Sequence, residues 1–221
     1  MPTRETVQQP SVPSSAGLPG ESSGHPAESS SHRAIAPYAI IDELYEPGSE
    51  LHIMLVEHSR RVAEKALAIA DFLSPSAELD RNFLEEAALL HDIGIYRTRA
   101  PKLCCYGDHP YLMHGVLGRE ILEARGLPRH ALVCERHVGV GITADEVRRK
   151  QLPLPERDMI PLTLEEEIIA YADKFYSKDC KTVYRENTLE QILDGMRRHG
   201  PENIEIFRGW AQRFEPGLKI P

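Results

Sequence analysis

From Tyr38 onward, apolar positions return every three or four residues almost without interruption, and strands have no obvious place to go. The expected fold is therefore all-α. A first long helix is predicted over about 50–73, where Leu51, Leu55, His58, Val62, Ala66 and Ile69 share one stripe. A second starts with Asp80 as N-cap and carries Leu84, Ala87, Ala88 and His91 inward before HDIG interrupts it. Residues 93–107 read as an irregular loop. Asp108 and Pro110 are expected to open a helix that carries His114, Leu117, Ile121 and Leu122 and stops at Gly126. A helix from Pro128 places His130, Cys134 and His137 on one face and ends at the GVG of Gly139–Gly141. Thr163 and Glu166 predict a capping box for a helix with Ile169, Ala172 and Asp173 inward. Thr188 with Gln191 caps one further helix, and Pro201 starts another.

Composition changes this picture at one end only. Residues 1–33 contain eight Ser, five Pro and three Gly, which predicts a disordered tail ahead of a single domain over 34–221. The tail lacks the apolar core of a signal peptide, and Glu5, Glu21 and Glu28 are out of place in a transit peptide. No apolar run approaches the roughly 18–20 residues needed to cross a bilayer, so no membrane span is expected. Twenty-six basic against 34 acidic side chains give a formal charge of −8, which disfavours a nucleic-acid polymer as partner, since that binding draws on clustered Lys and Arg. Cys104, Cys105, Cys134 and Cys180 form no CxxC pair, so neither a disulfide framework nor a zinc ribbon is indicated and a reducing cytoplasm is the expected compartment.

The candidate chemistry lies inside the apolar stripes. His58, His91, Asp92, His114, His137 and Asp173 fall on the inward faces of five different helices. A single inward histidine is ordinarily a hydrogen-bonded core residue. Six such groups in one core are another matter, because buried carboxylates and imidazoles cost several kcal/mol unless something cationic lies between them. A divalent ion supplies that charge, and imidazole with carboxylate suits Fe, Mn, Co, Ni or Zn.

These residues carry a resemblance. EHSRRVAEKALAIA, ALLHDIG, MHGVLGREIL, CERHVGVG and EEEIIAYADKF, in the order H, HD, H, H, D over about Glu57–Lys174, resemble the HD superfamily of metal-dependent phosphohydrolases. The resemblance is to its dinuclear members with a five-helix metal-binding core, such as the bacterial symmetric dinucleoside tetraphosphate hydrolases. It implies that His58, His91, Asp92 and Asp173 hold one metal, and that Asp92 bridges to a second held by His114 and His137. It also implies a metal-bridged hydroxide that cleaves a phosphoester or phosphoanhydride bond, with a nucleotide or small phosphometabolite as substrate. Candidate phosphate-binding cations are Lys174, Arg61 and Lys102, with Arg97 and Arg99 in the same loop as Lys102.

The sequence also departs from relatives within that superfamily. Ile95 stands where HD-GYP cyclic-dinucleotide phosphodiesterases carry Lys, no GYP follows, and HDIGIYRT lacks the ED pair of the alarmone hydrolases. A mixed-valent di-iron oxygenase and a non-catalytic metal-binding sensor are the alternatives, and a homo-oligomer is left open. The segment 142–162 reads either as a lid or substrate-specific insertion or as a plain surface connection. His52 and His109 are weaker ligand candidates than the six. His130 reads as a packing residue or as one that orients a ligand. Ile206, Trp210 and Phe214 read as core or dimer surface.

Overall fold

The computed structural model describes residues 35–74, 76–178 and 185–218. The tail expected over 1–33 and Cys180 lie outside them. Among the described residues the chain forms nine α-helices: α1 (Pro37–Leu44), α2 (Glu50–Leu73), α3 (Arg81–Leu90), α4 (His114–Glu123), α5 (Pro128–Arg136), α6 (Ala144–Lys150), α7 (Leu164–Asp173), α8 (Leu189–Met196) and α9 (Pro201–Phe214). No helix in this set is long and apolar enough to cross a membrane. The expected all-α architecture is the observed one, with a small sheet added.

The helix starts follow from side-chain caps. Ser49, Asp80, Thr143, Thr163 and Thr188 each accept a backbone N–H from three residues on, satisfying donors that a helix leaves free at its first turn. At α8 the capping box is complete, since Gln191 returns a bond to the Thr188 N–H. At α7 only half of the expected box forms. Thr163 caps the Glu166 N–H, but the Glu166 carboxylate is drawn away to Arg136 Nη1 at 2.8 and 3.1 Å and to the Leu162 N–H at 2.6 Å. A charge-assisted partner outcompetes the neutral backbone donor.

Two further expectations are corrected. The loop after HDIG contains three short strands, β1 (Thr98–Ala100), β2 (Cys105–Tyr106) and β3 (His109–Pro110), in the order β2-β1-β3. β1 pairs antiparallel with β2 and parallel with β3. The helix expected from Asp108–Pro110 consequently begins only at His114, behind a 3-10 turn over Tyr111–Met113. Pro110 is extended (ψ 142°) and disfavours helix at His109 as well.

Two apolar clusters carry the packing. One joins α2, α3, α7, α8 and α9, and within it Tyr171 of α7 stacks on Phe207 at 4.9 Å and meets Phe214 edge-on at 5.4 Å. Trp210 and Phe214 are therefore core residues, whereas Ile206 is exposed. The other gathers Ile41, Tyr45, Leu55, Leu90, Ile93, Ile95 and Leu122 around the HDIG turn, where the Tyr45 hydroxyl donates to the Ile93 carbonyl at 2.7 Å. Segment 142–162 is neither a free lid nor a bare connection. Ile142 pairs with Met159, Val147 and Met159 pack on Val116, and Arg157 is held by buried Glu135 of α5 at 3.0 Å.

Glycines set the closest approach between elements. Gly94 has an ordinary φ of −88°, so backbone conformation does not require glycine there. A Cβ there would lie 2.4 Å from Gly118 N and from the His114 carbonyl oxygen of α4. Gly115 meets α5 in the same way, a Cβ falling 2.4 Å from the Cys134 carbonyl oxygen.

Candidate metal centre

Four of the five helices deliver their site residues at an end. His91 caps the C-terminus of α3 with Asp92 beyond it, His137 caps α5, Asp173 is the last residue of α7 and His114 is the first of α4. His58 comes from the buried stripe of α2. Three helix C-termini thus converge, and their partial negative charge favours a cation between them.

All six side chains are buried and come together as two overlapping donor sets, His58, His91, Asp92 and Asp173, and Asp92, His114 and His137, each with ligand-type atoms within 4.8 Å of one another. Asp92 divides its oxygens between them. Its Oδ2 faces His58 Nε2 (3.4 Å) and His91 Nε2 (3.5 Å), and its Oδ1 faces His137 Nε2 (3.3 Å) and His114 Nε2 (3.5 Å). Asp173 Oδ1 completes the first set, 3.1 Å from His58 and 3.4 Å from His91.

Backbone carbonyls fix the imidazole tautomers. Nδ1 of His91, His114 and His137 each donates to the carbonyl three residues earlier, Ala88 at 2.7 Å, Tyr111 at 2.7 Å and Cys134 at 2.8 Å. That leaves Nε2 as a lone pair on each ring. Yet His114 and His137 bring these nitrogens to 3.2 Å, and His91 brings its own to 3.3 Å from His58. At His114 and His137 the two lone pairs aimed at one another repel unless a cation lies between them. Asp92 Oδ1 and Oδ2 and Asp173 Oδ1 are likewise buried without a well-directed hydrogen bond. The donor set therefore fits a divalent metal.

Electrostatics agree with neutral imidazoles and ionised carboxylates. Burial pushes His114 down to about 3 and His137 to about 4, and lowers His58 as well. Burial works to raise Asp92 and Asp173, but it is overcome by the Lys178 ammonium at Asp92 and by Lys174 and Lys178 at Asp173, so both carboxyls stay well below the usual range.

Lys178 is the site residue that sequence reasoning missed. Its Nζ is 2.9 Å from Asp92 Oδ2 and 3.2 Å from Asp173 Oδ1, and the two carboxylates hold the ammonium charged against its burial. It lies five residues beyond α7, where no periodicity marks an inward face. Of the cations singled out from sequence, Lys174 is at the site and ion-paired with Asp173. Arg61 pairs with Glu57 at 2.7 Å, and Lys102 is exposed in a 3-10 turn. His52 binds Asp42 at 2.8 Å, and His130 binds buried Glu86 at 3.2 Å, so His130 packs rather than orients a ligand.

A family model described as the HD domain matches residues 55–177, which include all six donors. Among curated relatives, a tRNA (cytidine(56)-2'-O)-methyltransferase of Thermoplasma volcanium is 33% identical over 164 residues, 74% of this chain and 41% of that protein. An uncharacterized protein of Methanocaldococcus jannaschii is 40% identical over 121 residues, 54% of this chain and 64% of that protein. The chain thus spans less than two thirds of the length of each. Among solved structures, the HD domain of the Listeria monocytogenes phosphodiesterase PgpH in complex with cyclic-di-AMP aligns with a TM-score of 0.47 at 19% identity, covering 83% of this chain and 99% of that one.

Proposed function

The chain belongs to the HD domain family, and from that membership and its two donor sets we propose that it is a metal-dependent phosphohydrolase acting on a phosphoester or phosphoanhydride of a nucleotide or small phosphometabolite. His58, His91, Asp92 and Asp173 would hold one divalent ion, and Asp92, His114 and His137 a second, from among Fe, Mn, Co, Ni and Zn. Bound there, such ions supply a water acidified towards neutral pH and neutralise charge at the phosphoryl group.

The observation that carries the reading is the division of Asp92, one oxygen towards each histidine pair. A carboxylate that served one ion alone would have no use for a second pair of inward imidazoles. The chain's own groups then have clear tasks. Carbonyls of Ala88, Tyr111 and Cys134 keep Nε2 unprotonated. Lys174 and Lys178 bring positive charge to where a phosphate dianion would sit. Burial of the cluster strengthens each of these interactions. Nothing in this donor set suits alkyl transfer, the reaction named for the longer relative.

The test is elemental analysis of the purified protein together with phosphate release from nucleotides, dinucleoside polyphosphates and sugar phosphates under added metals. About two metals per chain with phosphate release is the expected result. Two irons with dioxygen consumption and no phosphate release would establish an oxygenase instead, and a protein that binds no metal on addition would overturn the reading.

A further inference from the structure

Three of the site's turns open onto one cavity. Leu112 lies two residues before His114, Val138 follows His137 and Lys174 follows Asp173, and all three line a cavity of about 540 Å³. That volume is in the range of sites for compact organic ligands. Gln191, Ile192, Gly195 and Met196, whose spacing places them on one face of α8, line the cavity too. Ile142 and Leu152 of the packed 142–162 segment also contribute to the lining. The α8 wall lies outside residues 55–177, so the donors lie within the matched domain and the α8 side of the cavity beyond it.

Gly195 is the penultimate residue of α8, and its φ is not in the left-handed region, so backbone geometry does not require glycine there. Among the described residues, no atom beyond its own turn lies within 4 Å of the position its Cβ would take. Packing therefore does not call for glycine here, and what the missing side chain leaves is room at the cavity wall.

Charge narrows the occupant further. Among the described lining residues the cations are Lys150, ion-paired with Glu146, and Lys174, ion-paired with Asp173. The remaining lining is largely apolar. Among these described residues a chain of phosphates would find no row of cations to follow, whereas an uncharged ring system would find apolar walls.

We propose that this cavity binds the organic group of a phosphate monoester, uncharged and of nucleoside size, with its single phosphoryl group directed to the donor cluster, and that α8 sets the permitted size through Gly195. This rests on the hydrolase reading and adds the substrate class to it. The experiment uses the full chain loaded with manganese, with a nucleoside 5'-monophosphate, p-nitrophenyl phosphate and inorganic tripolyphosphate as probes. Wild type is expected to favour the nucleotide over tripolyphosphate by about tenfold or more in kcat/KM. Gly195→Trp is expected to lower the ratio of nucleotide to p-nitrophenyl phosphate kcat/KM by about tenfold or more, chiefly through KM, with manganese content and helical circular dichroism retained. Gly195→Ala, the folding control, raises the melting temperature. Preference for tripolyphosphate, or an unchanged ratio in a folded, loaded Gly195→Trp, overturns the proposal. Should no probe release phosphate from metal-loaded wild type, the hydrolase reading is what fails. The cavity assignment is then decided by calorimetric binding of the same nucleotide, upheld if Gly195→Trp abolishes it and overturned if wild type does not bind.

Discussion

The Lys178 ammonium stands 2.9 Å from Asp92 Oδ2, the same oxygen that faces His58 and His91. An ammonium and a divalent ion that draw on one oxygen compete for it. Lys178→Met removes the competitor while preserving much of the side chain's bulk, so affinity for the first metal is expected to rise by about tenfold, equivalent to ~1.4 kcal/mol. Titration against a chromophoric chelator measures it. An affinity that is unchanged or weaker would mean that the ammonium lies clear of this oxygen once metal is bound.

The two donor sets share only Asp92. His137→Ala removes one of the two imidazoles on the Oδ1 side and leaves the other set complete, so metal content is expected to fall from about two to about one per chain. Asp92→Ala cuts both sets, and near-complete loss is expected. Helical circular dichroism should persist in each, since the apolar clusters that pack the helices keep all their members. Elemental analysis after gel filtration distinguishes the cases, and equal losses in the two variants would refute the split role of Asp92.

Gly115 touches the same carbonyl that positions His137. A Cβ at residue 115 would come within 2.4 Å of the Cys134 oxygen, and that oxygen accepts the His137 Nδ1 proton at 2.8 Å. Backbone cannot yield as a flexible side chain does, so Gly115→Ala must part α4 from α5. A stability loss of about 1–3 kcal/mol is expected by denaturant unfolding, accompanied by weaker binding of the second metal. Normal stability with normal metal content would show that the two helices separate without cost.

What was legible in the sequence follows from what periodicity encodes. His58, Val62 and Ala66 recur at helical spacing, so a polar group among them is visibly inward, and the same holds for His91 after Leu84, Ala87 and Ala88. The six donors are found together for that reason. Periodicity is silent outside regular elements, which is why Lys178 was not foreseen. Strands of two or three residues, such as Cys105–Tyr106, are too short to show an alternation. Thr163–Glu166 reads as a capping box from spacing alone, but Arg136 reaches Glu166 from another helix, a competition that no local pattern records. The glycines of HGVLG gave no sign of which carbonyl they face, because that depends on how α4 crosses α5.

Acid should unfold this protein in a definite direction. Burial holds His114 at about 3 and His137 at about 4 in the folded chain, whereas both titrate near pH 6.5 once unfolded. Between these values the unfolded chain takes up protons that the folded chain refuses, so stability is fully present above about pH 6.5 and is lost as pH falls towards 4. Asp92 and Asp173, held below the usual carboxylate range, extend the loss to still lower pH. Metal binds the unprotonated imidazoles, so acidification also releases it and steepens the decline. The melting temperature of chelator-treated protein is expected to be level near pH 7–8 and to fall continuously below about pH 6.5, with a shallower fall in His137→Gln. A curve that stays level down to about pH 4.5 would mean that the imidazoles accept protons in place, and that their lone pairs are not committed inward as the backbone carbonyls require.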